Sequence, residues 1–180
     1  MNSGFPVSHR TTSAVFRLTF VLLVLLGLSA CSRYQLTFNE AVVHTPPPLL
    51  TDFDTEDPRL RSCLDQMIKD GKVTAFEQLT QLICSHAGLT SLKGIEAFPN
   101  LQRVNLEHNQ LVSLKPLQHL SQLEVLKLND NLLTHVPELL TLQKLKTVQL
   151  ENNPKLSCQD LQQLQQHNAD IAVQLPQQCR

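Results

Sequence analysis

The apolar positions between Leu79 and Asn153 recur with a fixed period of 22 residues, in four blocks that each begin with leucine. The first, fourth and sixth positions of a block are apolar, and the ninth is asparagine in the last three blocks. These positions are Leu101, Val104, Leu106 and Asn109; Leu123, Leu126, Leu128 and Asn131; and Leu145, Val148, Leu150 and Asn153. The first block reads Leu79, Leu82 and Cys84 but has Ala87 at its ninth position, as an atypical end repeat would.

A second apolar set follows the asparagine position in three successive blocks. It comprises Leu89, Leu92, Ile95 and Phe98; Leu111, Leu114, Leu117 and Leu120; and Leu133, Val136, Leu139 and Leu142. Each block therefore predicts a short strand, a turn and a tighter returning segment. One such coil cannot bury its own apolar side chains, so the coils must stack and align their strands about 4.8 Å apart in a parallel sheet. The pattern predicts an α/β solenoid over residues 79–157, with the parallel sheet on its concave face.

The asparagine column has a physical reason within this architecture. A buried amide has two donors and an acceptor, and it can satisfy turn backbone groups in its own coil and the next. If Asn109, Asn131 and Asn153 were ordinary turn formers, they would not need to form a column. The pattern therefore predicts a structural asparagine ladder.

These blocks resemble the leucine-rich repeat family, specifically the 22-residue type of bacterial internalin-like proteins. The resemblance covers about half of the chain. It implies that the concave sheet face is the surface on which a partner binds.

The segment 57–78 has the features of an N-terminal cap. Asp57-Pro58 places an N-cap residue before a proline at the first helical position, and Gly71 follows as a stop signal. The apolar residues between them fall on one helical face: Leu60, Cys63, Leu64, Met67 and Ile68. Because the end of a coil stack exposes apolar area, we expect this face to cover the first coil.

Residues 158–180 are predicted to cap the other end. Ser157 and Asp160 can start a helix that carries Leu161 and Leu164, and Ile171–Leu175 is a final apolar segment. Cys179 is the penultimate residue.

The five cysteines favour an oxidising compartment. If Cys31 carries lipid, an even four remain, and they allow three pairings. Cys63 and Cys84 belong to one end of the repeat, whereas Cys158 and Cys179 belong to the other, so we predict the disulfides Cys63–Cys84 and Cys158–Cys179. A four-cysteine metal site is a weaker interpretation because the chain has no C-x-x-C spacing.

The first 30 residues have the pattern of a secretory signal. Arg10 and Arg17 precede the apolar run Leu18–Ala30, which is shorter than the roughly 20 apolar residues of a transmembrane helix. The run closes in Leu28-Ser29-Ala30-Cys31, which resembles the lipobox of bacterial lipoproteins, and this resemblance implies acylation of Cys31. Ser32 after the cysteine resembles an outer-membrane address. A plain signal peptide or an uncleaved anchor are the alternatives.

Residues 31–56 have no helical period, and we predict an extended spacer. Tyr34–Phe38 and Ala41–Thr45 can form a short hairpin, and Pro46-Pro47-Pro48 then forces an extended backbone. Alternatively this segment docks onto a partner through apolar residues, which are Phe38, Leu49, Leu50 and Phe53.

Composition excludes several function classes. Two of the 15 basic residues precede Cys31 whereas all 16 acidic residues follow it, so the chain from Cys31 onward has a net charge of −3. With no basic patch, nucleic acid is not an expected partner. The sequence has no Ser–His–Asp order, phosphate loop or H-E-x-x-H motif, so we expect no catalysis and no cofactor.

Two sets of exposed positions are candidate sites. The outward positions of the strands are mixed polar, and those predicted to contact a partner are Arg103, Asn105, Glu107, Lys127, Asn129 and Gln149. A solvated sheet face without a ligand is the alternative. His86 and His108 share the eighth block position, where stacking brings their backbones to about 5 Å and permits a weak transition-metal site. The simpler interpretation is that this position is exposed and varies freely.

Two functions remain after these exclusions. The first is a lipid-anchored interaction module of the cell envelope, in the outer membrane facing the periplasm, that weakly binds a protein or a glycan. The second is a structural envelope lipoprotein without a defined ligand.

Overall fold

The computed structural model describes residues 36–38, 41–44 and 46–180. The predicted signal segment 1–30 and the predicted lipidation site Cys31 lie outside these residues. The chain divides into two compact units, Met1–Pro47 and Pro48–Arg180. In the first unit β1 (Leu36–Phe38) pairs antiparallel with β2 (Ala41–His44), as the hairpin pattern predicts.

The second unit is built on a five-stranded parallel sheet whose strand order follows the sequence. Its strands are β3 (Gln81–Ile83), β4 (Arg103–Asn105), β5 (Val125–Lys127), β6 (Thr147–Gln149) and β7 (Ala172–Gln174). The first four pair at the 22-residue spacing, for example Leu82 with Val104 and Val104 with Leu126. The predicted α/β solenoid with its parallel sheet is confirmed. Strand β7 was not predicted, because Ile171–Leu175 lies outside the repeat pattern.

The returning segments are short 3-10 helices, Ile95–Ala97, Lys115–His119 and Pro137–Thr141. The seven apolar columns of the repeat lie between these helices and the sheet, and every member is buried. A fully buried leucine stabilises the fold by about 1.5–3 kcal/mol relative to an exposed one. The columns therefore form one continuous core.

The three asparagines of the ninth position are buried and share one hydrogen-bond pattern. Asn131 Oδ1 accepts from Leu111 N at 3.1 Å, while Nδ2 donates to the carbonyls of Leu106 and Leu128 at 3.0 and 3.1 Å. Leu106 and Leu111 belong to the preceding coil, so each amide joins its own coil to the one before it rather than the one after. Asn109 and Asn153 make the equivalent bonds.

The eighth position of every coil has a left-handed backbone. Its φ is 58° at His86, 55° at His108, 57° at Asp130 and 56° at Asn152. Residues with a side chain seldom adopt this region, and asparagine and aspartate do so most readily. The position therefore does not vary freely, because the turn before each buried asparagine requires this conformation.

The N-terminal cap is helix α1 (Pro58–Gly71), which buries Leu60, Leu64 and Ile68. Asp57 accepts from Arg59 N as the predicted N-cap residue. The left-handed residue that ends the helix is Lys72, one position after the predicted stop at Gly71. A disulfide joins Cys63 to Cys84, with Cα atoms 5.7 Å apart, as predicted.

Residues 48–56 belong to the second compact unit, so the predicted spacer 31–56 extends too far toward the C-terminus. Phe53 is buried and packs edge-on against Phe98, with ring centroids 5.2 Å apart. Glu56 N donates to Lys93 O at 3.2 Å. The segment passes so close to Gly94 that a Cβ there would lie 2.3 Å from the Asp54 carbonyl oxygen. The alternative in which Phe53 docks onto a partner is therefore wrong.

The C-terminal cap consists of helix α2 (Cys158–His167) and β7. Ser157 is the N-cap residue and accepts from Asp160 N at 3.3 Å. The predicted disulfide Cys158–Cys179 is present, with Cα atoms 5.3 Å apart. Each cap is also joined to the coils by an aspartate: Asp57 Oδ2 accepts from Thr90 N, and Asp160 Oδ2 accepts from Val136 N, both at 2.9 Å.

The asparagine ladder predicts a large loss of stability for Asn131→Leu. The substitution removes a buried donor and acceptor and leaves their backbone partners unpaired, at roughly 1–3 kcal/mol for each group. Asn152→Gly is the matched control, because glycine keeps the left-handed turn and only an exposed bond to Asp130 is lost. In urea unfolding we expect the control to stay within about 0.5 kcal/mol of wild type. Equal losses in both variants would contradict the ladder.

Because Asp57 and Asp160 join the caps to the coils as ionised carboxylates, we expect the protein to lose stability in acid. Burial opposes ionisation of Asp57, but the hydrogen bonds from Thr90 and Arg59 hold the pKa of its carboxyl below the ordinary value. This stabilisation is present above the unfolded pKa of about 3.9 and is lost as the pH falls through the lower folded pKa. Asp57→Asn should therefore be roughly 2 kcal/mol less stable at pH 7, from the lost bonds to a charged group, and the difference should narrow below about pH 4.

Urea unfolding over a pH series measures this effect. Asp170→Asn is the control, because its exposed carboxylate accepts no hydrogen bond from the described residues. A difference between Asp57→Asn and wild type that is the same at every pH would contradict the assignment.

Candidate ligand-binding face of the sheet

The outward side chains of the five strands form two columns on the concave face. The first contains Gln81, Arg103, Val125, Thr147 and Ala172, and the second contains Ile83, Asn105, Lys127, Gln149 and Gln174. A third set follows the strands at Ser85, Glu107, Asn129 and Glu151. The alternate residues between them, such as Leu82 and Val104, are buried in the core. The register thus places all six predicted partner-binding residues on this face.

Three members of the third set, Glu107, Asn129 and Glu151, are engaged in bonds within the protein. Asn129 Nδ2 donates to Glu107 Oε1 at 2.8 Å, and Asn129 Oδ1 accepts from Glu151 N at 2.9 Å. Asn105 Oδ1 accepts from Glu107 N at 3.0 Å. Arg180 forms an ion pair with Glu151. Asn105, Glu107 and Asn129 therefore stabilise the chain at the carboxyl ends of the strands. Each has fewer polar groups free to bind a ligand than a fully solvated side chain would have.

Arg103 and Lys127 differ from this set because no described carboxylate lies within ion-pair distance of either. Arg103 contributes to lowering the pKa of Glu124, but the hydrogen bond and charge of Lys146 are larger causes of this shift. Lys146 Nζ donates to Glu124 at 3.0 Å, so Lys146 rather than Arg103 satisfies this carboxylate. Both cations line a depression of about 240 Å³ over β3, β4 and β5.

A second depression, of about 440 Å³, lies where α1 meets the sheet. It is lined by Arg59, Ser62, Cys63, Gln66, Met67, Ile83 and Ala87. Ile83 also lines the first depression, and 48% of its surface is exposed. Sequence reasoning did not select Ile83 as a site residue, although an isoleucine at an outward strand position was a visible signal.

The eighth-position histidines stack instead of converging on a common point. The ring centroids of His86 and His108 are 4.1 Å apart with an angle of 26° between the rings. Imidazole lone pairs lie in the ring plane, so in stacked rings they run side by side. His108 Nδ1 also lies 3.5 Å from Asp130 Oδ2. This arrangement does not form the chelate that two histidines would need to hold one metal ion, and no group of three or more candidate ligands occurs among the described residues.

Other chemistry is sparse in the part of the chain that the structure describes. No serine, threonine or cysteine side chain there donates a hydrogen bond to a histidine, which is the contact that activates a nucleophile. Neither α1 nor α2 has the length and apolar content required to cross a bilayer.

Comparison with known proteins supports the repeat assignment. The structure is similar to internalin C2 of Listeria monocytogenes, with 25% identity and a TM-score of 0.57 over 67% of this chain and 56% of that protein. A leucine-rich repeat protein of Leptospira interrogans matches with 26% identity and a TM-score of 0.50 over 54% of this chain and 26% of its own length. The internalin InlF of Listeria monocytogenes matches with 27% identity and a TM-score of 0.49 over 53% and 30%.

The chain thus covers between 26% and 56% of the length of these proteins. No protein-family model and no curated protein matches it. The 22-residue coil, the buried asparagine column and the parallel concave sheet define a leucine-rich repeat fold, and this fold is similar to that of the bacterial internalin C2.

Proposed function

We propose that this protein is a lipid-anchored interaction module of the bacterial cell envelope, and that its concave sheet binds another protein. The observation that carries the proposal is the pair of cations Arg103 and Lys127, which have no ion-pair partner among the described residues and share one depression with aliphatic neighbours. A cation that the fold itself does not neutralise is available to a ligand carboxylate. The protein acts by binding and has no catalytic role.

The size of this face favours weak or transient recognition. Five strands about 4.8 Å apart, with two or three outward residues each, offer roughly 20 by 15 Å, or on the order of 300 Å². A standard interface takes about 800 Å² from each partner. The face also lacks the tyrosine and tryptophan side chains that dominate many interfaces.

Membrane attachment is proposed from the sequence alone. Cleavage before Cys31 and acylation of its thiol would tether the body through the segment 31–47. Each buried methylene contributes about 0.8 kcal/mol, so two or three acyl chains hold a protein firmly. Ser32 favours the outer membrane, with the repeat domain facing the periplasm.

Two alternatives have their own support. A glycan ligand is favoured by a depression of about 450 Å³ whose hydroxyl and charged groups, including Thr90, Ser91, Ser113 and Lys115, can bond to sugar hydroxyls. A purely structural envelope role is favoured by the internal bonds of Asn105, Glu107 and Asn129, which leave less of the concave face for a ligand.

Anchoring is tested with Cys31→Ala. The wild-type protein should partition into detergent and incorporate labelled palmitate. The variant should remain an unprocessed precursor or become soluble, and it should take up no label, because the acylated thiol is missing. Cys63→Ala/Cys84→Ala, which removes the disulfide of the N-terminal cap and leaves Cys31 unchanged, should still be labelled. Wild-type protein that is soluble and unmodified at residue 31 would contradict the proposed anchor.

Binding is tested by capture of partners from envelope extract. Arg103→Glu/Lys127→Glu should reduce the yield of captured protein at least tenfold, because the variant repels the carboxylates that the wild type attracts. The matched control, Lys144→Glu/Lys155→Glu, has the same change in net charge at exposed sites that line neither this depression of the concave face nor the candidate glycan depression. Periodate treatment of the extract identifies a glycan ligand, since it should abolish capture only in that case. Equal yields with wild type and both variants would favour the structural role.

A further inference from the structure

The depression beside α1 and the depression over β3, β4 and β5 adjoin at Ile83, which lines both, and we treat them as one groove. We call it the N-terminal groove and define it by the lining residues of both depressions, which share Ile83. Its length is roughly 15–20 Å, the reach of five or six residues in extended conformation. It opens onto the concave face, so its ligand would be part of the partner proposed above.

The groove has an aliphatic floor. Ile83, Met67 and Val125 form it with partly exposed side chains, and Leu82 and Val104 lie beneath them, buried in the core. Ile83 is one of the four large apolar side chains that are exposed among residues 46–180, and the only one of them on the sheet. A ligand side chain that covers this floor must therefore be apolar itself to gain from burial.

The walls of the groove are basic. Arg59, Arg103 and Lys127 line it, together with uncharged groups, and none of its lining residues is acidic. This contrasts with residues 46–180 as a whole, which have a net charge of −3. Arg59 Nη1 donates to Gly88 O at 3.0 Å, which holds its guanidinium at the rim while its other N–H groups remain available. Clustered charge of one sign over low-dielectric walls attracts ligands of the opposite sign.

We infer that the N-terminal groove binds an extended segment of a partner protein in which acidic and aliphatic side chains alternate. The inference rests on the proposed function and specifies the chemistry of its partner. In an extended segment successive side chains point to opposite sides, so an aliphatic residue can lie on Ile83 and Met67. Its neighbours can then place carboxylates near Arg103 and Lys127, where Arg103 supports a bidentate contact.

A phospholipid surface fits this groove less well. Polybasic segments that bind anionic membranes use about four to eight cations on a surface that can lie flat against the headgroups. The groove offers three cations in a concave site. Single-stranded nucleic acid is disfavoured because the groove has no aromatic side chain on which bases can stack.

The test uses the full chain in detergent and a fluorescein-labelled peptide of eight residues, with alternating aspartate and leucine in its centre and serine at its ends. Two control peptides replace the aspartates with lysine or the leucines with serine. By fluorescence anisotropy we expect the acidic aliphatic peptide to bind at least tenfold more tightly than either control. Raising the salt from 50 to 500 mM should weaken binding, because the Debye length shortens to a few ångströms.

Three variants locate the binding site. Arg103→Glu/Lys127→Glu should weaken binding of the acidic aliphatic peptide at least tenfold. Ile83→Ser should also weaken it but should leave the salt dependence unchanged, since it removes apolar contact and no charge. Lys144→Glu/Lys155→Glu, at two exposed sites that line neither the groove nor the candidate glycan depression, should bind as wild type does. Unfolding midpoints of the three variants, measured in parallel, separate loss of the site from loss of the fold.

Several results would overturn the inference. They are equal affinity for all three peptides, no binding of the acidic aliphatic peptide, an equal loss of affinity in the control variant, and tighter binding to phosphatidylglycerol vesicles than to the peptide. The capture experiment separates these failures from failure of the proposed function. If Arg103→Glu/Lys127→Glu loses captured partners although the peptide does not bind, the interaction function stands and the acidic aliphatic partner is wrong.

Discussion

The structure depends on one constraint, which is that a single coil cannot bury its apolar side chains without another coil beside it. Each coil supplies part of its neighbour's core, and the buried columns run without interruption from Leu79 to Leu150. Close stacking also buries the turn backbone, whose polar groups lose access to water. The amides of Asn109, Asn131 and Asn153 offset this loss of hydrogen bonding, because each bonds to backbone groups of two successive coils. The left-handed eighth position is the local consequence, since the turn must aim the ninth side chain inward.

The same constraint explains the two caps. A stack of coils ends in an apolar face, and α1 covers the first coil with Leu60, Leu64 and Ile68. At the other end α2 and β7 complete the last coil, and β7 extends the sheet by pairing with β6. Both caps use a disulfide and an aspartate that accepts a backbone N–H of a coil. A disulfide stabilises mainly by restricting the unfolded chain, whereas the aspartates fix the position of each cap, so the two devices complement each other.

Sequence reasoning succeeded where structure follows from the period and failed where it follows from tertiary contact. The 22-residue repeat determined β3 to β6, the core columns and the ladder, because stacking leaves little choice of register. Strand β7 has no repeat of its own and becomes a strand by pairing at the edge that β6 leaves open. Residues 48–56 have no periodicity at all. Their conformation is set by contacts distant in sequence, such as Phe53 with Phe98 and the close approach to Gly94.

The concave face shows the same division. The pleat determined which residues point outward, so Arg103 and Lys127 were located correctly from the sequence. The pattern could not show that Asn129 is bonded to Glu107 and Glu151, because those bonds depend on the distance between neighbouring coils. It also could not show that α1 lies beside Ile83 and turns one exposed isoleucine into the centre of a groove. Glu107 and Glu151 thus lie past the carboxyl ends of their strands, whereas Arg103 and Lys127 lie within β4 and β5. Under the proposed function, this separation of charge directs an acidic ligand toward Arg103 and Lys127 rather than toward the carboxyl ends of the strands, because like charges repel.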